Sequence, residues 1–95
     1  MMTKLSSAEI ESRILKLQSW ERVGSSIKRD FKLKDFQHAM GFVVKVALAA
    51  EKMDHHPDIT IEYNRVKIVL TTHSVEGLTA LDFELAEKID KLFQT

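Results

Sequence analysis

The chain has no cysteine among its 95 residues, which removes disulfide cross-links, thiolate metal ligands and cysteine nucleophiles together. With one proline and three glycines, it has little material for linkers, so the connections between elements are expected to be short. No apolar run approaches membrane-spanning length, and Met1 to Ser7 lack the apolar stretch of a secretory leader. Net charge is also missing: 14 basic side chains match 14 acidic ones. That balance speaks against a strongly basic nucleic-acid binder and against an acidic solvating tail. A chain of this length has room for one core, so the expectation is a single domain over residues 1–95. It is expected in the cytoplasm, with no nucleic-acid or membrane partner.

What is present is an ordinary globular balance, 44% hydrophobic and 29% charged. The charge is divided unevenly: residues 1–50 hold nine basic and five acidic side chains, and residues 51–95 hold five and nine. Opposite halves can attract each other, or another copy of the chain.

Hydrophobic periodicity gives the order of elements. Ser6-x-x-Glu9 reads as a capping box with Leu5 placed to staple onto Ile10, and Ile10, Ile14 and Leu17 follow at helical spacing to about Gln18. From Trp20 to Leu33 the period is two, with Gly24-Ser25 as the turn of a hairpin. Arg29 shares the apolar parity of Ile27 and Phe31, which suits an edge position or a subunit contact. Asp35 is an N-cap for the longest helix, running to about Met53 and stopped by Pro57. Its small residues, Ala39, Gly41, Ala47, Ala49 and Ala50, keep it slim.

A second hairpin alternates Ile59, Ile61 and Tyr63 with Asp58, Thr60 and Glu62, then Val66, Ile68 and Leu70 with Lys67 and Val69. A two-residue loop at Asn64-Arg65 sets Ile59 opposite Leu70, Ile61 opposite Ile68 and Glu62 opposite Lys67. The last helix opens at Thr79, with Leu78 and Phe83 as staple, Asp82 in the third position, and Leu81, Leu85, Ile89 and Leu92 as its buried stripe. The predicted fold is α+β, a four-stranded antiparallel sheet with three helices packed on one face, in the order α-β-β-α-β-β-α.

The informative residues are histidines. His55 and His56 stand between a helix end and a strand start, and the expected register carries His73 opposite His56. One such histidine at a helix end could serve only the helix dipole; three at one end of a hairpin point to chemistry. Zinc fits poorly, because adjacent strand residues point opposite ways and no HExxH or cysteine supports it, so no metal is expected. Acid–base work fits better, since imidazoles titrate near neutrality and neighbours disfavour double protonation. Glu51 reads either as a carboxylate orienting an imidazole or as a solvated helix-end charge. Asp82 is either a helix N-terminal charge or a partner of the site. Trp20 is either core or a stacking wall for a flat ligand. His38 has no evident partner.

Glu51-Lys-Met-Asp-His55-His56-Pro57, with Tyr63 six residues after the proline, His73 ten beyond and Asp82 nine further, resembles the signature of pterin-4a-carbinolamine dehydratases. Trp20, Phe36-Gln-His-Ala-Met-Gly-Phe42 and Thr71-Thr72-His73 are similar to that family as well, so the likeness runs from about Trp20 to Asp90. The resemblance implies an antiparallel sheet with three helices. It implies dehydration of 4a-hydroxytetrahydropterin to quinonoid dihydropterin, a step in tetrahydropterin recycling. It implies His55 and His56 as the acid–base groups and His73 as an aid to positioning. Asp54, Thr71, Thr72, Ser74 and Trp20 would bind substrate, with Glu51 and Asp82 supporting the histidines. No cofactor is implied. Family members form homodimers and homotetramers and share a pathway with aromatic amino-acid hydroxylases. Animal members also bind a transcription factor's dimerisation region, which supplies the alternative of a non-catalytic assembly or coactivator module.

Overall fold

The computed structural model describes residues 3–94; Met1 and Met2, the first residues of the Met1–Ser7 segment read above, lie outside them. Helix α1 spans Ser7–Ile14, strand β1 Glu21–Val23, β2 Ser26–Lys32, helix α2 Phe36–Met53, β3 Asp58–Glu62, β4 Arg65–Leu70 and helix α3 Ala80–Gln94, with a single 3-10 turn at His73–Val75. The strands form one antiparallel sheet in the order β1-β2-β4-β3, so the α-β-β-α-β-β-α order and four-stranded sheet expected from periodicity are present. Among the described residues, no helix is long and apolar enough to cross a membrane.

The sheet has one dry face. Ile27 and Phe31 of β2 and Val66, Ile68 and Leu70 of β4 are buried against Ile10 of α1, Phe42, Val46 and Ala50 of α2, and Leu85, Ala86 and Ile89 of α3. Alternate residues, Asp30, Lys32, Lys67, Thr60 and Glu62, stay exposed on the other face. The alternation of period two thus becomes a helix-covered side and a wet side. Thr79 caps α3: its hydroxyl accepts from Leu81 N–H at 3.3 Å and its own N–H donates to Asp82 at 2.9 Å. The capping box of Ser6 and Glu9 is formed at α1.

Several expectations need correction. The β3–β4 pairing is Ile59 with Ile68, Ile61 with Val66 and Glu62 with Arg65, a slip of two residues from the expected register. The turn is Tyr63-Asn64. Tyr63 takes a φ of 52°, and Asn64 is tied to Leu33 by its amide (3.1 Å) and its carbonyl (2.8 Å). Tyr63 therefore stands exposed in the turn and Glu62 does not face Lys67. His73 leaves the sheet in the 3-10 turn, so it does not pair with His56. Helix α1 stops at Ile14, where i→i−3 bonds from Lys16 and Leu17 tighten the chain.

Arg29 sits just past the stretch of β2 that β1 covers, and its side chain is engaged within the chain. It lies on an inner strand, its guanidinium 2.7 Å from Asp90 and stacked 4.4 Å over Phe31 and 5.1 Å from the Phe93 ring. Trp20 is buried and its indole N–H donates to the same Asp90 oxygen at 2.8 Å, which is the core use rather than a wall for ligand.

His38 does have a partner. Asp35 caps α2 by accepting the His38 backbone N–H at 2.9 Å, and the His38 ring nitrogen Nδ1 lies 2.7 Å from the same oxygen. These bonds, the backbone one first, hold the Asp35 carboxyl below the ordinary carboxylate range. A depressed carboxyl stabilises the fold above its unfolded pKa, and that contribution disappears as pH falls through the folded one. Thermal melts followed by circular dichroism are expected to place Asp35→Asn below the unsubstituted protein at neutral pH. The gap should close on acidification below about pH 4; a gap independent of pH would refute the charge contribution.

Candidate active site

The break between α2 and β3 sets the site. Asp54 takes the left-handed conformation, φ 50° and ψ 43°, with its N–H bonded to Glu51 O and the His55 N–H bonded to Ala50 O at 3.1 Å. This is the helix-ending geometry in which a left-handed residue is followed by a six-to-one hydrogen bond. The helix therefore stops three residues before Pro57, by its own capping rather than by the proline. The sharp turn separates the adjacent histidines: His55 is directed inward, its side chain 8% exposed, while that of His56 is 60% exposed.

Each ring is held by a carboxylate. His55 Nε2 lies 2.6 Å from Asp82 Oδ1, and Asp82 is fully buried. The other oxygen of Asp82 accepts from the Thr72 hydroxyl at 2.7 Å and from the Thr79 N–H at 2.9 Å. Asp82 sits in the first turn of α3, where the helix N-terminus favours negative charge. On the surface, His56 Nε2 lies 2.7 Å from Glu51 Oε1. Glu51 does orient an imidazole, but that of His56 rather than the nearer His55.

His73 opens the 3-10 turn immediately after Thr72. The turn is clamped at its base by the Thr72–Gly77 bridge, Thr72 N–H to Gly77 O at 2.9 Å, and closes through Glu76 at φ 52°. His73 is exposed, and Thr72 joins it to the buried pair through Asp82. Of the other expected residues, Asp54 and Ser74 are exposed beside these histidines in sequence. Thr72 is buried with its hydroxyl committed to Asp82, and Thr71 donates to Ser25 O at 2.6 Å. Both hydroxyl protons are thus committed within the chain.

Thr79 escaped notice as part of the site because it reads fully as a helix cap. Its hydroxyl lies 2.9 Å from that of Thr72. The spacing Asp82, Leu85, Ile89 was the available signal, an acid on the stripe that α3 buries. Among the described residues no group of three or more His, Cys, Asp or Glu is arranged to hold a metal ion. The arrangement offers two imidazoles of contrasting solvation, each with a carboxylate on one nitrogen, which suits proton transfer to and from a bound molecule.

Fold and site together describe a small α+β protein with two histidine–carboxylate pairs at the junction of α2 and β3. The family model for pterin 4 alpha carbinolamine dehydratase matches residues 3–92, and the chain belongs to that family. It is 49% identical to a provisionally named pterin-4-alpha-carbinolamine dehydratase of Roseiflexus sp. (strain RS-1), covering 97% of this chain and 99% of the relative. It is 48% identical to one of Solibacter usitatus, covering 97% of each. The crystal structure of a transcriptional coactivator/pterin dehydratase from Brucella melitensis superposes with a TM-score of 0.91 at 41% identity, covering 95% of this chain and 98% of that one. A pterin dehydratase-like RuBisCO assembly factor of the alpha-carboxysome shares the fold, with a TM-score of 0.69 at 20% identity over 79% of this chain and 89% of its own.

The two carboxylates differ in what they hold together. Asp82→Ala strips the acceptor from three buried donors and is expected to cost about 3 kcal/mol or more in urea unfolding. Glu51→Ala, at an exposed pair, should change stability by less than about 0.5 kcal/mol. Equal effects would contradict this reading of the site.

Proposed function

We propose that the protein removes water from 4a-hydroxytetrahydropterin to give quinonoid dihydropterin. The observation that carries this is the histidine set, His55 on Asp82, His56 on Glu51 and His73 on the turn beside them, in a chain that matches the family from 3 to 92. The reaction needs an acid at the departing C4a hydroxyl and a base at N5–H. The N5 lone pair forms the N5=C4a bond as the C4a–O bond breaks; the hydroxyl leaves as water with the acid's proton, and the base takes the N5 proton. His55 and His56 serve as the acid–base pair and His73 positions the pterin. The backbone groups of Asp54 to His56 and of Thr71 to Ser74, with the Asp54 and Ser74 side chains, read the amide-like edge of the ring. The hydroxyls of Thr71 and Thr72 do not take part, nor does Trp20. The domain spans residues 1–95 and acts in the cytoplasm in tetrahydropterin recycling, beside a hydroxylase that consumes the reduced pterin.

Freshly generated 4a-hydroxytetrahydropterin, followed by ultraviolet absorbance, should decay faster with protein than without. His55→Ala with His56→Ala should cut the catalysed rate by about a hundredfold or more. Full activity in that double variant would sink the site assignment, and no acceleration by folded protein would sink the dehydratase.

A second reading, a non-catalytic assembly or coactivator module, is favoured by one feature. Phe36, Met40, Val44 and Leu48 form a stripe along α2 at four-residue spacing, 51%, 37%, 54% and 68% exposed. We propose that this stripe packs helix against helix in a homodimer or homotetramer. The protein should then elute larger than its 10.9 kDa, and Val44→Glu with Leu48→Glu should return it to monomer. A strict monomer before substitution would refute the helix-face contact.

A further inference from the structure

Counting protons around Asp82 fixes more than its partners. A carboxylate only accepts, so each of its three neighbours must donate. The Thr72 hydroxyl has one proton, and that proton is committed to Asp82 Oδ2 at 2.7 Å. In the 2.9 Å contact between Thr72 and Thr79 the donor must therefore be Thr79, whose oxygen in turn accepts the Leu81 N–H at 3.3 Å. The chain runs one way: Thr79 O–H to Thr72 O, Thr72 O–H to Asp82 Oδ2, and His55 Nε2–H to Asp82 Oδ1 at 2.6 Å.

We propose that Thr79 and Thr72 are positioning residues which, through Asp82, lock His55 with its proton on Nε2 and leave Nδ1 as the atom that exchanges a proton with the substrate. Two further observations support it. No buried side-chain nitrogen or oxygen among the described residues lacks a hydrogen-bond partner. Nδ1 of His55 has none among the described residues, so it reaches the surface of an otherwise buried ring. His56 provides the contrast: its carboxylate partner is 77% exposed, so water competes for Nε2 and nothing comparable fixes its proton. Of two adjacent imidazoles, one has a fixed proton address and the other trades protons with solvent.

The tautomer stands on geometry alone, while its catalytic consequence rests on the dehydratase reading, and the test separates the two. In protein carrying 15N-labelled histidine, long-range proton–nitrogen correlations at neutral pH should show His55 with a protonated Nε2 and a bare Nδ1. Asp82→Asn, which can offer an amide N–H to a bare Nε2, should move the proton to Nδ1 and lower kcat by at least a hundredfold. Thr79→Val and Thr72→Val should broaden or split the His55 signals and lower kcat about tenfold with KM changed less than about twofold. Thr79→Ser, which keeps both cap and hydroxyl, should restore both readouts. A wild-type His55 with its proton on Nδ1 would overturn the proposal, because Asp82 would then be the donor. So would Val variants with unaltered His55 signals. Locked Nε2–H in a protein without dehydratase activity would uphold the tautomer and reject the function.

Discussion

A single buried carboxylate organises this end of the molecule. Asp82 belongs to α3, but its hydrogen bonds come from the exit of α2 through His55, the exit of β4 through Thr72 and the start of its own helix through Thr79. Two segments close in sequence, the exit of β4 and the start of α3, and one 27 residues away, the exit of α2, thus meet at two oxygen atoms. A buried carboxylate without such donors would be expelled or neutralised. With them it becomes a geometric constraint, since loosening any one segment strands a donor. His55, buried against this knot, inherits its rigidity.

The second constraint is the left-handed residue that ends α2. Adjacent residues at a helix end normally share an environment. Here the turn at Asp54 sends His55 inward and keeps His56 in water, and each ring then finds its own carboxylate, one on α3 and one in the last turn of α2. The two imidazoles are chemically alike but differ in solvation. Such a division of like groups by environment is the general means by which one site holds both an acid and a base.

How much of this could be read from the sequence depends on the symmetry of the signal. Alternation reports faces, and the core side of Ile27, Phe31, Ile59, Ile61, Val66, Ile68 and Leu70 is legible from it, although Tyr63, which shares their parity, leaves the sheet in the turn. A slip of two residues preserves all faces, however, and leaves no trace in the pattern. The displaced β3–β4 register followed from that degeneracy, and the side-chain amide of Asn64 that decides the turn has its partner at Leu33, a long-range contact no local pattern contains. The histidines and Asp82 were legible as candidates because their types and spacing match a known family. That the hydroxyl protons of Thr71 and Thr72 go to Ser25 and Asp82 is not legible in the sequence, because a hydroxyl's partner depends on packing. Trp20 remained double-valued until Asp90 was seen to claim its N–H.

Asp90 also explains why the site can be so exact on a helix packed mainly by apolar contacts. Phe83, Leu85, Ala86 and Ile89 bury α3 against the sheet, yet hydrophobic surfaces alone resist sliding weakly because burial is not directional. Asp82 and Asp90 lie eight residues apart, about 12 Å along the helix axis. Each is hydrogen-bonded to groups outside α3, Asp82 to His55 and Thr72, Asp90 to Trp20 and Arg29. Pinned at both points, α3 has no translational or rotational freedom over the sheet without breaking bonds at one end or the other. Arg29, the cation that shares the parity of Ile27 and Phe31, is part of the far pin. A residue remote from the histidines thereby helps to hold Asp82, and through it His55, in register.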